Sequence, residues 1–401
     1  MTSKPLIERE TIKTDRGLAE LCRELRQSGR FALDTEFVGE RTYVPRLCLV
    51  QVATDDFIAL VDTLVVRDLS PLWALTADLG IEKALHAARE DLRLAYYGGE
   101  RVVPQNIFDT QVAAGFVGLP QYPLGYGRLV ETVMGVKLSK GETRSEWDRR
   151  PLSPEQIRYA RDDVRYLLPI RDRIGGILDR LGRTGWLAEE MARYSDPLVY
   201  EPDPEAAYLR LRGSRGGLAA RPTALLRAIA AWREREAAGR NVPARSLLRD
   251  ETLIEMALRP PRRLPDFSRL RGFPEGEEAG LGPGLLQSLD AARVLPAESL
   301  PPPLAGSVEE ETPAQRALAE VLYGLAMTLC LRRDLAPELA LTRADALALA
   351  RGTAQSPLLS GWRRQALGEE LRRVASGEAE ARIFVTADGP DVSILPADNP
   401  L

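Results

Sequence analysis

The sequence predicts an α/β domain built on a mixed sheet, followed by all-helical modules. Three observations carry this. Strand-like stretches at 31–37, 47–53 and 57–61 follow one another with short connections, and strands then alternate with helices. After Pro197, Pro202 and Pro204 the periodicity becomes helical and the cations become almost entirely Arg. The chain has 401 residues, more than one hydrophobic core usually covers.

Composition narrows the class. The 44% hydrophobic and 28% charged content are those of a globular protein. The first residues carry no apolar signal-peptide core, and the longest apolar run, 321–331, is shorter than the roughly 20 residues a membrane span needs. Cys22, Cys48 and Cys330 lack paired spacing, so neither a disulfide framework nor a zinc site is expected, and a reducing cytoplasm suits them. The net charge of −4 argues against a generic nucleic-acid binder.

The elements follow in order. Leu18, Leu21, Cys22 and Leu25 have helical spacing, and Gly29 stops that helix. The strand 31–37 comes next. The strands 47–53 and 57–61 form a hairpin across Thr54-Asp55-Asp56. A helix is expected over 69–79, a strand over 83–87, a helix ending at Gly98-Gly99, and a strand over 106–108, after which Asp109 caps a helix. Ser153, Pro154 and Gln156 make a capping-box start for a helix whose buried stripe is Ile157, Ala160, Val164, Leu167 and Leu168. Pro169 should kink it near its middle.

Several acids fall at suggestive places. Asp34 and Glu36, two apart on a strand, share a face. Buried together they would repel, and a hard cation such as Mg²⁺ or Mn²⁺ would relieve that; an edge strand with a solvated face is the alternative. Asp91 stands in the first turns of a helix that follows a sheet strand, where α/β sites commonly lie; complementing the helix dipole would also explain it. Tyr159 and Asp163, four apart, stack on one helix face beside the buried stripe, and a half-buried aromatic next to a solvated acid is the plain alternative.

Taken together, Asp34-Thr-Glu-Phe37, Asp91 and Tyr159-x-x-x-Asp163 resemble the DEDD 3′→5′ exonucleases, and the tyrosine resembles the DEDDy branch. The position five before the last acid, where the DEDDh branch carries its histidine, is Arg158. His86, the chain's single histidine, is expected to end a strand. The stretches 34–51, 86–91 and 138–169 are similar to the ribonuclease D family, over about residues 10 to 195. That resemblance implies an RNase H-like (DnaQ-like) fold and picks Asp163 over Asp162. It implies catalysis by Asp34, Glu36, Asp91, Asp163 and Tyr159, with the four acids holding two divalent cations, Mg²⁺ or Mn²⁺. It implies 3′→5′ trimming of tRNA precursors and other small structured RNAs with single-stranded 3′ ends, releasing nucleoside 5′-monophosphates. A DNA exonuclease on the same acids, or a non-catalytic nucleic-acid-binding protein, are the alternatives. A monomer is expected.

Lys137, Lys140, Arg144 and Arg150, interleaved with Trp147, suit a single strand, with cations on phosphates and a ring under a base. A solvated loop with Trp147 packed on the sheet fits equally. Residues 205–275 hold 15 Arg, no Lys and 8 acids, a net +7. Residues 225–257 resemble an HRDC domain, and 337–350 echoes 243–257 faintly, which suggests a second. The expected divisions are 1–197 for the exonuclease domain, 205–290 and 308–385 for the HRDC-like modules, and 386–401 for a disordered tail.

Overall fold

The computed structural model describes residues 6–39, 41–119, 121–139, 146–201, 203–213, 217–304, 312–353, 356–387 and 389–397. The chain divides into two compact units, one of residues 1–36, 47–196 and 311–401, the other of residues 37–46 and 197–310.

The first unit carries the sheet. Its elements are β1 (Ile7–Glu8), α1 (Asp15–Ser28), β2 (Arg30–Val38), β3 (Arg46–Ala53), β4 (Phe57–Val61), α2 (Ser70–Thr76), β5 (Glu82–Leu85), α3 (Arg89–Gly98), β6 (Ile107–Asp109), α4 (Thr110–Ala114), α5 (Tyr126–Met134), α6 (Pro154–Arg165), α7 (Leu167–Leu181) and α8 (Thr184–Ala192). Strand order is β1-β4-β3-β2-β5-β6. β3 and β4 are antiparallel, as a short hairpin turn requires, whereas β2–β5 and β5–β6 are parallel across helical crossovers. β2 is thus central. Ala32 pairs with Ala84 and shares an apolar cluster with Ala53, Ile58, Val164, Leu167 and Leu168. Side chains alternate along a strand, so Asp34 and Glu36 face the same side as Ala32 and look toward α6.

Local chemistry sets the boundaries. Gly29 takes the left-handed conformation that ends α1, with φ +68°. Ser153 and Gln156 close the expected capping box of α6. Pro169 acts more sharply than a kink: α6 ends at Arg165 and α7 begins at Leu167, so the expected single helix is two. A proline has no N–H for residue 165, and its ring crowds that carbonyl.

After the second unit's α9 (Ala220–Arg240), α10 (Ala244–Leu247), α11 (Asp250–Leu258) and α12 (Glu278–Arg293), the first unit takes up the end of the chain: α13 (Pro313–Arg332), α14 (Pro337–Ala340), α15 (Arg343–Ala350), α16 (Gly361–Arg363) and α17 (Glu369–Ala375), then β7 (Ala379–Thr386) and β8 (Gly389–Pro396). Trp362 is fully buried against Phe116, at 4.8 Å between ring centroids, and its indole donates to Glu190 at 2.8 Å. Arg183 donates to the carbonyls of Phe116, Arg333 and Asp334. Gly361 sits at φ +51°, a conformation that favours glycine, and a Cβ there would displace the Glu189 carboxylate that accepts from the Trp362 N–H. The expectation of a disordered tail from residue 386 is corrected for 389–396. β8 pairs with β7 along its full length, and Val392 is buried while its carbonyl accepts from Arg332 at 2.6 Å. The hairpin straddles the expected boundary at 386, so its two strands fall in different segments of the sequence.

The second unit is helical, with α9 (Ala220–Arg240), α10 (Ala244–Leu247), α11 (Asp250–Leu258) and α12 (Glu278–Arg293) around Leu226, Ile229, Leu253, Met256, Phe267 and Leu285. The succession α9, α10, α11 has lengths 21, 4 and 9, and α13, α14, α15 has 20, 4 and 8. Among the described residues no helix is long and apolar enough to cross a membrane. The three cysteines are all buried.

Candidate active site

The site is built from β2, α3 and α6. Asp34 and Glu36 come from the central strand. Asp163 comes from the last turn of α6, over the same sheet face. One carboxylate oxygen from each of Asp34, Glu36 and Asp163 lies within 4.8 Å of the others. The adjacent Asp162 is occupied elsewhere: its Oδ1 accepts from Arg165 at 2.8 Å and its main-chain carbonyl accepts from Tyr126 at 2.9 Å.

Asp91 enters from the first turn of α3 and is 7% exposed. Its Oδ1 accepts a short hydrogen bond from the Thr35 hydroxyl. Thr35 points away from Asp34 and Glu36 on its strand, and the sequence reading gave it no role. The β5–α3 connection that places Asp91 is itself tied down. Asp109 accepts from the main-chain N–H of Ala87 and of Ala88, each at 3.0 Å, as well as capping α4 through Gln111 and accepting from Tyr194 at 2.8 Å. Sequence reading found only the cap. His86 lies just past β5, with Nδ1 3.0 Å from Thr110 Oγ1 and Nε2 2.9 Å from the Leu124 carbonyl, and burial lowers its pKa.

Electrostatics follow from this crowding. Burial, and then its neighbours' negative charge, push Glu36 up to about 10. Burial pushes Asp163 up to about 7, against a hydrogen bond from Tyr159 that pulls it down. Asp34 and Asp91 are raised as well, first by burial and then by neighbouring acids. Repulsion of this kind is what a bound cation removes, and an all-oxygen donor set suits a hard divalent ion. The residues therefore fit the metal ions expected of them.

Tyr159 is half-buried, with its ring centroid 6.1 Å from that of Trp147. Trp147 is only 2% exposed, so it packs inside rather than presenting a face to a base. Arg150 makes a two-pronged ion pair with Asp62, both distances 2.7 Å, and donates to the Cys48 carbonyl. Asp62 is itself 2% exposed. Of the two readings of this loop, the packed one is favoured for Trp147 and Arg150: the core closes over the ring, and the buried Asp62 holds the guanidinium. Lys137 is exposed, and Lys140 and Arg144 lie outside the described residues.

Comparison with known proteins identifies the family. A family model described as 3′-5′ exonuclease matches residues 9–179, and one described as HRDC domain matches 223–289. The chain is 39% identical to ribonuclease D of Gluconacetobacter diazotrophicus and 36% identical to that of Granulibacter bethesdensis, covering 96% of each chain in both cases. Among solved structures it is similar to Escherichia coli RNase D, described as an exoribonuclease involved in structured RNA processing. That likeness has TM-score 0.79 and 32% identity, over 91% of this chain and 98% of the other. With three carboxylates converging beside a tyrosine on an exonuclease fold, and relatives of matching length, the chain belongs to the ribonuclease D family of 3′→5′ exoribonucleases.

Proposed function

We propose that this exoribonuclease trims single-stranded 3′ ends of tRNA precursors and other small structured RNAs, using two divalent cations, Mg²⁺ or Mn²⁺, and releasing nucleoside 5′-monophosphates. The observation that carries the reading is the convergence of Asp34, Glu36 and Asp163 within 4.8 Å beside Tyr159. Asp34, Glu36 and Asp163 would hold one ion, with Asp34 shared by a second and Asp91 acting through water. Bound there, the ions would supply charge neutralisation on the phosphate and on the departing 3′ oxygen.

The chain's own residues do the rest. Glu36, Asp34 and Asp163 fix where positive charge sits relative to the scissile phosphate. The Tyr159 hydroxyl orients the attacking water. A phenol ordinarily titrates near pH 10, so orientation suits it better than proton removal at pH 7. The first HRDC domain supplies affinity for the RNA backbone, because its unit contains the stretch of net +7. Residues 308–385 are read as a second HRDC-like module, supported by the matching run of helix lengths over 313–350.

The test uses matched RNA and DNA, each with a short 3′ overhang, in Mg²⁺ or Mn²⁺, with products resolved by size. Stepwise shortening of RNA from the 3′ end, with mononucleotide product, is expected. Equal or faster shortening of DNA would overturn the RNA assignment, and oligonucleotide products would overturn the exonucleolytic one.

A further inference from the structure

Between Arg165 and Leu167 the helix that carries Tyr159 and Asp163 is broken. In an unbroken helix the N–H of Tyr166 would donate to the carbonyl of Asp162, four residues back. Here a foreign group occupies that rung. The Tyr126 hydroxyl donates to the Asp162 carbonyl at 2.9 Å and accepts from the Tyr166 N–H at 3.3 Å. The same N–H also reaches the Val164 carbonyl. A side chain inserted into the helical ladder is one of the few causes of a sharp break, and here it works alongside Pro169.

Tyr126 itself has little freedom. It is the first residue of α5 and packs against the cluster of Ala32, Ala84 and Val164. Its ring lies 5.6 Å from that of His86, which is in turn held by Thr110 and the Leu124 carbonyl. A phenol fixed on one element therefore sets a backbone rung on another. The residue enclosed by that rung, next to Asp162, is Asp163.

We propose that Tyr126 is a positioning residue for Asp163. By holding the Asp162–Tyr166 rung open, it sets the rotation of the last turn of α6 and hence where Asp163 presents its carboxylate to Asp34 and Glu36. Without the hydroxyl, the two main-chain groups can close on each other, and the turn carrying Asp163 rewinds. The proposal rests on the metal-binding reading given above. It concerns a residue that touches neither substrate nor ion.

The test compares wild type with Tyr126→Phe, which keeps the ring and removes the hydroxyl. Mn²⁺ binding is measured on substrate-free protein by the loss of the free-ion electron paramagnetic resonance signal. Turnover is measured separately against Mg²⁺ concentration. Residues that orient metal ligands typically contribute 10–100-fold to metal affinity. Mn²⁺ affinity should therefore fall about tenfold or more, and the Mg²⁺ needed for half-maximal turnover should rise in step. Turnover at high Mg²⁺ should recover most of the wild-type rate, with KM for RNA unchanged. A folded Tyr126→Phe with wild-type Mn²⁺ affinity and Mg²⁺ dependence overturns the proposal. If wild type itself bound no Mn²⁺, the metal reading would fail first and carry this one with it. Should Tyr126→Phe not fold, Tyr126→Leu serves instead. It too takes the hydroxyl out of the rung, so it should weaken Mn²⁺ binding likewise, and unchanged affinity there overturns the proposal as well.

Discussion

Thr35 donates its hydroxyl hydrogen to a carboxylate oxygen of Asp91, joining the central strand to the first turn of α3. Both groups are buried, so neither has water to replace the other. Thr35→Val keeps the side-chain shape and leaves Asp91 without that donor. It should cost about 1–3 kcal/mol of stability and lower turnover, because the acid loses its anchor. Thermal melting together with single-turnover kinetics checks this; full activity in the variant would assign the contact to folding alone.

Asp34→Asn should abolish hydrolysis while RNA binding persists. It removes the carboxylate proposed to be shared between ions, with little change in side-chain volume. Retention of near wild-type turnover by the folded variant would show the two-ion assignment to be wrong.

Tyr159→Phe should reduce kcat far more than it changes KM, because the lost hydrogen bond belongs to the water and to Asp163 rather than to RNA. A raised KM at constant kcat would leave Tyr159 a packing residue beside Trp147.

The metal-free site should be a pH-dependent liability. Asp163 is raised from 3.8 to about 7, so its folded form holds a proton that the unfolded chain has released. Its stabilising contribution is complete below about pH 4 and is lost as pH rises through about 7. Asp163→Asn, which cannot ionise, should therefore gain on wild type in melting temperature progressively between about pH 4 and 7 in chelator, and by a constant margin above. Saturating Mg²⁺ should narrow the gap by stabilising only the wild type. A melting difference independent of pH would mean that Asp163 is not raised.

Arg262, Arg269 and Arg271 are exposed, whereas other arginines of the same unit are committed: Arg233 and Arg245 to Asp250, and Arg221 to the carbonyls ending α12. Replacing the three by Ala should flatten the salt dependence of RNA binding by about 0.7 per lost phosphate contact, and leave cleavage of very short oligonucleotides unchanged. An unaltered slope would place the phosphate contacts elsewhere.

Much of the site was legible in the sequence because its chemistry is local. Asp34 and Glu36 are two apart on a strand, and Tyr159 and Asp163 are four apart on a helix, so periodicity alone sets each pair on one face. What periodicity lacks is the distance between elements. It could not show that Asp62 claims Arg150, or that the core closes over Trp147, because those partners are 88 residues away in one case and a packed interior in the other. Tyr126 was illegible for the same reason: its partners are two main-chain groups roughly forty residues on. The strand 389–396 was lost to a boundary drawn through a hairpin whose two halves look weak apart.

The end of the chain returns to the first unit, where Trp362 and Arg183 lock it to α8 and α4. In sequence, then, residues 197–310 of the second unit are inserted within the first. During synthesis the residues from 197 to 310 can complete their own core as soon as they emerge. Phe116 and Glu190 meet their partner Trp362 only once residues beyond 360 have been made. That meeting closes a loop of more than 170 residues, the kind of long-range pairing that slows folding and leaves apolar surface open to misassembly. The contacts of Trp362 with Phe116 and Glu190 therefore form only after residues 197–310 have been made.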